Sequence, residues 1–174
     1  MSRAGLIVID VQNDYFPGGA FPLWNAPATL AATLQAINAA QARGLPVIHV
    51  QHVADPELGR APFFNAATPG VEIHAEVLAA APAAPVIVKR YADAFDATDL
   101  EATLRGLEVD ELLLCGMMTQ NCVTHTALSR RGEAYRRVTV LGDACTTVSE
   151  PVHRIALAAL SRRVELATVG AVLG

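Results

Sequence analysis

Apolar residues gather in six short runs along the chain: Gly5–Ile9, Pro46–Val53, Pro85–Val88, Glu111–Cys115, Arg137–Leu141 and Arg163–Val169. Most are unbroken stretches of Val, Ile and Leu rather than alternating ones. Such runs suit the strands of a parallel sheet, which are covered on both faces. The segments between them carry helical spacing or helix-end signals. Ala26–Arg43 sets Leu30, Leu34, Ile37 and Ala40 at helical intervals, with Gly44 placed as its C-cap. Thr98–Arg105 opens on Thr98-Asp-Leu-Glu101, a capping-box pattern. Ser149–Ser161 opens with Ser149 as N-cap and Pro151 in the first turn. Strands alternating with helices predict an α/β fold, a parallel sheet with helices on both faces.

Punctuation and composition narrow the picture. The stretch Ala54–Pro69 carries Pro56, Gly59, Pro62 and Pro69 and predicts a long irregular loop: a lid, an interface or a surface excursion. Ala79–Pro85 reads as a linker into the third strand. No internal repeat interrupts the pattern, and 174 residues predict a single domain spanning 1–174. The net charge is −4 and no basic run stands out, which argues against a nucleic-acid partner. No stretch approaches the roughly 20 apolar residues of a membrane span, so no membrane partner is expected. The first apolar run is too short for a secretory signal. Three cysteines without paired spacing argue against a disulfide framework, and a reducing cytoplasm is the expected location. No Gly-x-Gly-x-x-Gly follows the first strand, so a dinucleotide cofactor is not expected.

Reactive side chains stand at three strand ends. Asp10 closes the first run, Lys89 closes the third, and Cys122 follows the fourth. Gly116 ends that fourth strand, and Val123–Leu128 reads as a helix with Cys122 in its first turn. A helix start offers unpaired N–H groups and the positive end of the dipole, both of which favour a thiolate. Ligands of open parallel sheets bind beyond the carboxyl ends of the strands. The three groups together suggest nucleophilic catalysis: Asp10 as general base, Lys89 as the cation that lowers the thiol pKa, and Cys122 as attacker of a carbonyl carbon. Cys115, inside an apolar run, is expected to pack as a core residue, and packing is the favoured reading for Cys145 as well.

Four blocks resemble the isochorismatase-like cysteine hydrolases. They are Val8-Ile-Asp-Val-Gln-Asn-Asp-Tyr-Phe16; Lys89-Arg-Tyr-Ala-Asp-Ala-Phe95 with Thr98-Asp-Leu100; Gly116-Met-Met-Thr-Gln-Asn-Cys-Val123; and Gly142-Asp-Ala-Cys-Thr-Thr147. They occur in the family's order and run from near residue 5 to about residue 165. The resemblance implies a three-layer, doubly wound fold with a six-stranded parallel sheet in the order 3-2-1-4-5-6. It implies the triad Asp10, Lys89 and Cys122, a cis peptide between Met117 and Met118, and an oxyanion hole made by the N–H groups of Met118 and Cys122.

Further expectations follow from the same resemblance. The metal-binding branch of the family carries an Asp-x-His pair after the second strand. Here the stretch is His49-Val-Gln-His52, whose histidines point to opposite faces of a strand, so no catalytic metal and no cofactor are expected. His74 reads as structural, and His125, three residues past Cys122, as a lesser candidate. Phe16, Trp24, Tyr91, Met118, Thr119 and Gln120 flank the triad in sequence and are expected to wall the substrate pocket. The expected activity is hydrolysis of a C–N bond in a small amide, ureido or carbamoyl compound through an acyl thioester. Rival readings are vinyl-ether hydrolysis and a non-catalytic, redox-responsive thiol. A homodimer or homotetramer is expected, with the Phe63-Phe64 loop as a candidate contact.

Overall fold

In the computed structural model, which describes residues 3–174, six strands form one parallel sheet. They are β1 (Ala4–Ile9), β2 (Val47–His52), β3 (Val86–Lys89), β4 (Glu111–Met117), β5 (Arg137–Thr146) and β6 (Glu165–Ala167). Their spatial order is β3-β2-β1-β4-β5-β6, the doubly wound order that the resemblance implies. Helices α1 (Ala26–Ala42), α2 (Ala75–Ala80) and α6 (Val169–Leu173) cover one face of the sheet. Helices α3 (Leu100–Gly106), α4 (Thr124–Ala127) and α5 (Glu150–Leu160) cover the other.

Strand parity explains the unbroken apolar runs. β1 sends Leu6 and Val8 into the layer under α1, and Ile7 and Ile9 into the layer under α3. β4 divides Leu113 and Cys115 from Leu112 and Leu114 in the same way. Both faces are dry, so neither tolerates a polar alternation. Gly44 follows α1 with φ +67° and returns its N–H to the Gln41 carbonyl, the left-handed ending that glycine allows.

Several boundaries differ from the sequence pattern. β5 continues past Leu141 because its register resumes after an irregularity, setting Gly116 beside Cys145 and Met117 beside Thr146. β6 stops at Ala167 because the Thr168 side chain accepts from the Ala171 N–H and starts α6. α2 takes up Ala79 and Ala80, so the linker is shorter than expected; Val77, fully buried, anchors that helix. The Thr98 capping box does not form. The Thr98 hydroxyl donates to the Ala94 carbonyl at 2.6 Å and accepts from the Leu100 N–H, while Glu101 pairs with Arg105 and Arg131. Ser149 stands at the N-cap of α5 in extended conformation, without a side-chain capping bond.

The Ala54–Pro69 loop is tied down by its own aromatic residues. Phe64 donates its N–H to Asp14 Oδ2 at 2.7 Å, and its ring lies 4.5 Å from that of Tyr15. Phe63 meets Tyr15 and Phe21. Phe64 is 1% exposed, so its ring fills its own chain's core. Among the described residues no helix is long and apolar enough to cross a membrane.

Candidate active site

Three strand ends build the site. Asp10 leaves β1 in the left-handed region, φ +51°, where few residues other than glycine, asparagine and aspartate settle. Its N–H is held by the Val50 carbonyl at 3.0 Å, so the turn is fixed from the neighbouring strand. Opposite lies Gly116, φ +119°, where a Cβ would fall 2.0 Å from the Ile9 carbonyl oxygen. Only glycine lets β4 close against the end of β1. The Met117–Met118 peptide that follows is cis.

Cys122 then sits within a π-helical turn, Thr119–Val123, that runs directly into α4. The Met118 carbonyl accepts from both Asn121 and Val123, and the Thr124 hydroxyl donates back to the Thr119 carbonyl at 2.6 Å. The sequence pattern placed Cys122 in the first turn of an ordinary α-helix; the wider turn adds a residue there, as π-bulges at functional sites do.

Lys89, the last residue of β3, joins these groups. Its ammonium Nζ lies 2.9 Å from Asp10 Oδ2 and 3.2 Å from Cys122 Sγ. It also meets His52 Nδ1 at 3.0 Å and donates to the Tyr91 carbonyl at 3.1 Å. The side chains of Asp10 and Lys89 are fully buried, and Cys122 is 3% exposed. Burial alone would lower the Lys89 pKa, but the Asp10 charge leads the opposing causes and the net direction is up, so the ammonium keeps its proton.

The thiol departs from expectation. Burial pushes the Cys122 pKa up, Asp10 pushes the same way, and Lys89 opposes them without prevailing. The two largest causes thus run against the lowered thiol that the helix start and Lys89 suggested. The same burial, with the charges of Asp10 and Cys122, raises the Tyr15 phenol.

His52 is the member that sequence reasoning missed. Gln12, fully buried, grips it from both sides: Gln12 Oε1 accepts from the His52 N–H, and Gln12 Nε2 donates to the His52 carbonyl, each at 2.8 Å. Parity was the available signal. His52 shares a face with Ile48 and Val50 and stands in register beside Lys89. Desolvation first, then the Lys89 charge, lowers its pKa and keeps the ring neutral. His49 points to the other face, where its Nε2 meets the Ala81 carbonyl at 3.2 Å.

The flanking residues divide into exposed and committed groups. Tyr91 and Trp24 are exposed, and the Trp24 ring lies 5.8 Å from that of His153. Phe16 is buried with its ring 4.5 Å from His74. The Thr119 hydroxyl is spent internally, donating to the Thr146 carbonyl at 3.0 Å and meeting His153 Nδ1 at 2.9 Å. Gln120 accepts from the Thr147 hydroxyl and donates weakly to Met118 Sδ. His125 is exposed and bonds the Asn121 carbonyl. Cys115 and Cys145 are both buried in the sheet.

One donor set has metal-ligand types: a carboxylate oxygen of Asp10, a ring nitrogen of His52 and Cys122 Sγ all lie within 4.8 Å of one another. Lys89 Nζ stands within 3.2 Å of all three residues' atoms. These residues do not fit a metal ion while the ammonium holds that place, because the set already has its cation.

Known proteins resemble the chain along most of its length. The isochorismatase domain profile matches residues 4–171. The uncharacterized isochorismatase family protein YddQ of Bacillus subtilis is 37% identical over 166 residues, 90% of each chain. Maleamate amidohydrolase of Pseudomonas putida is 32% identical over 151 residues, 79% of this chain and 70% of that one. The crystal structure of an isochorismatase family protein from Desulfovibrio vulgaris superposes with a TM-score of 0.87 at 28% identity, covering 98% of this chain and 96% of the other. The chain described here belongs to the isochorismatase family.

Proposed function

We propose that the protein is a cysteine amidohydrolase that cleaves a C–N bond of a small amide, ureido or carbamoyl compound. The observation that carries this reading is a buried ammonium, Lys89 Nζ, in contact with both a buried carboxylate and a buried thiol at the carboxyl edge of the sheet. A relative's name, maleamate amidohydrolase, points to the same bond type.

Asp10 takes the Cys122 proton as the sulfur attacks the carbonyl carbon. The upward direction of the thiol pKa makes that transfer part of the attack rather than a prior equilibrium. The N–H groups of Met118 and Cys122 receive the oxyanion. Collapse breaks the C–N bond, and Asp10 returns the proton to the departing ammonia or amine. An acyl thioester remains on Cys122. Asp10 then removes a proton from water, water attacks the thioester carbon, and the thiol leaves with its proton restored. Lys89 stays charged throughout and balances whichever of Asp10 and Cys122 is anionic. Phe16, Trp24, Tyr91 and Gln120 contribute to the substrate walls, while Thr119 shapes the turn from inside.

Ammonia release from a panel of small amides, ureido acids and carbamoyl compounds, with Cys122→Ala alongside, tests the reading. Turnover by the wild type, lost by at least about a thousandfold in the variant, is expected. Turnover that survives in Cys122→Ala overturns it.

A further inference from the structure

The four contacts around Lys89 outnumber its three N–H bonds. The acceptors are Asp10 Oδ2, His52 Nδ1, the Tyr91 carbonyl and Cys122 Sγ. Two of them, Asp10 and Cys122, exchange a proton during the reaction just described. The other two, His52 and the Tyr91 carbonyl, do not change. From this arrangement we propose that His52 is a positioning residue: with the Tyr91 carbonyl, its Nδ1 pins two N–H bonds of Lys89, leaving the third to turn from Asp10 to Cys122 as the negative charge moves. The inference rests on the reading of Cys122 as the nucleophile.

The geometry around His52 supports a built support rather than an incidental contact. An ammonium has donors only, so the ring nitrogen facing it must accept, and the ring carries its proton on Nε2. The ring is held at its root, because Gln12 occupies both backbone groups of His52 and donates a second bond to the Val71 carbonyl at 2.7 Å. Gln12 belongs to the turn that also carries Asp10, so one segment places the general base and the support of the cation. The titratable groups facing this point are Asp10 from β1, Tyr15 after it, His52 from β2, Lys89 from β3 and Cys122 after β4. Without the Nδ1 acceptor, Lys89 has one fixed anchor instead of two. Its mean distance from Sγ grows, and the developing thiolate loses part of its counter-charge.

Two substitutions separate this role from simple packing. His52→Asn keeps an acceptor, Oδ1, where Nδ1 stands; His52→Phe keeps a ring of similar size and removes the acceptor. The measurement is the rate of Cys122 alkylation by iodoacetamide against pH, read by mass spectrometry of the Cys122 peptide, which requires no substrate. His52→Phe should alkylate about tenfold more slowly at a given pH, equivalent to about one unit of upward shift. His52→Asn should return to within about threefold of wild type. With an amide that is turned over, kcat should fall by about 10–100-fold in His52→Phe with KM little changed. Unchanged or faster alkylation in a folded His52→Phe variant, or His52→Asn as slow as His52→Phe, overturns the inference. Should no amide be turned over while the alkylation shift is seen, the support role stands and the proposed activity fails.

Discussion

The two ends of the sheet treat charge in opposite ways. At the carboxyl edge, Asp10 and Lys89 meet at 2.9 Å with both side chains fully buried. At the amino edge of β4 to β6, Arg136–Asp110 and Arg137–Glu165 meet at 3.7 and 3.5 Å with every side chain at least 40% exposed. The amino edge also has a hollow of about 420 Å³, lined in part by Tyr135, Arg136, Arg137, Arg162, Arg163 and Glu165. None of its ionisable groups is fully buried. Burying an ion costs several kcal/mol, whereas exposed pairs cost and contribute little. The place where the fold tolerates that cost, rather than a hollow rimmed by exposed pairs, is where we propose the chemistry.

The largest effect should come from breaking the buried pair. Lys89→Met leaves the Asp10 carboxylate buried and alone, and should lower unfolding stability by about 3–5 kcal/mol. The double variant Asp10→Asn/Lys89→Met should recover most of that loss, because no lone buried charge remains. At the amino edge, Arg137→Ala should change stability by less than about 1 kcal/mol. Urea titrations of the four proteins decide the comparison; equal losses in Lys89→Met and Arg137→Ala would erase it.

A smaller effect comes from pH. His49 and His52 both have pKa values lowered from 6.5, chiefly by desolvation. Below pH 6.5 the unfolded chain therefore binds more protons than the folded one, so their contribution is complete above 6.5 and is lost as pH falls below it. Lys89 works on the alkaline side: its raised pKa gives stability that is complete below 10.5 and lost as pH rises through the folded value. Melting temperatures should thus decline between about pH 7 and about pH 5.5, before most carboxylates titrate. A flat profile across that interval would show that neither histidine is held neutral.

Much of this was legible in the chain. Continuous Val, Ile and Leu runs located the strands because a parallel sheet dries both faces. Asp10, Lys89 and Cys122 announced themselves as reactive groups at strand ends. The strand order came with the family resemblance, since alternation alone leaves several windings open. What stayed hidden depended on contacts between distant residues. The contact of His52 with Lys89 needs the depth of β2 beside β3, not only its parity. The β5 extension to Thr146 depends on register regained against Gly116 and Met117. The raised Cys122 thiol depends on how fully the site is covered, whereas the local turn chemistry alone argued for the opposite direction. The inward seat of Phe64 depends on the ring of Tyr15 and the carboxylate of Asp14, both distant in sequence.

The central claim is that Cys122 attacks and is acylated. Acid-quenched mass spectrometry of the Cys122 peptide, taken during turnover of the best amide from the panel, tests it most directly. The account predicts a transient adduct with the mass of the substrate's acyl group, on Cys122 alone and absent once substrate is exhausted. Full turnover with Cys122 unmodified at every time point, together with an active Cys122→Ala variant, would contradict it.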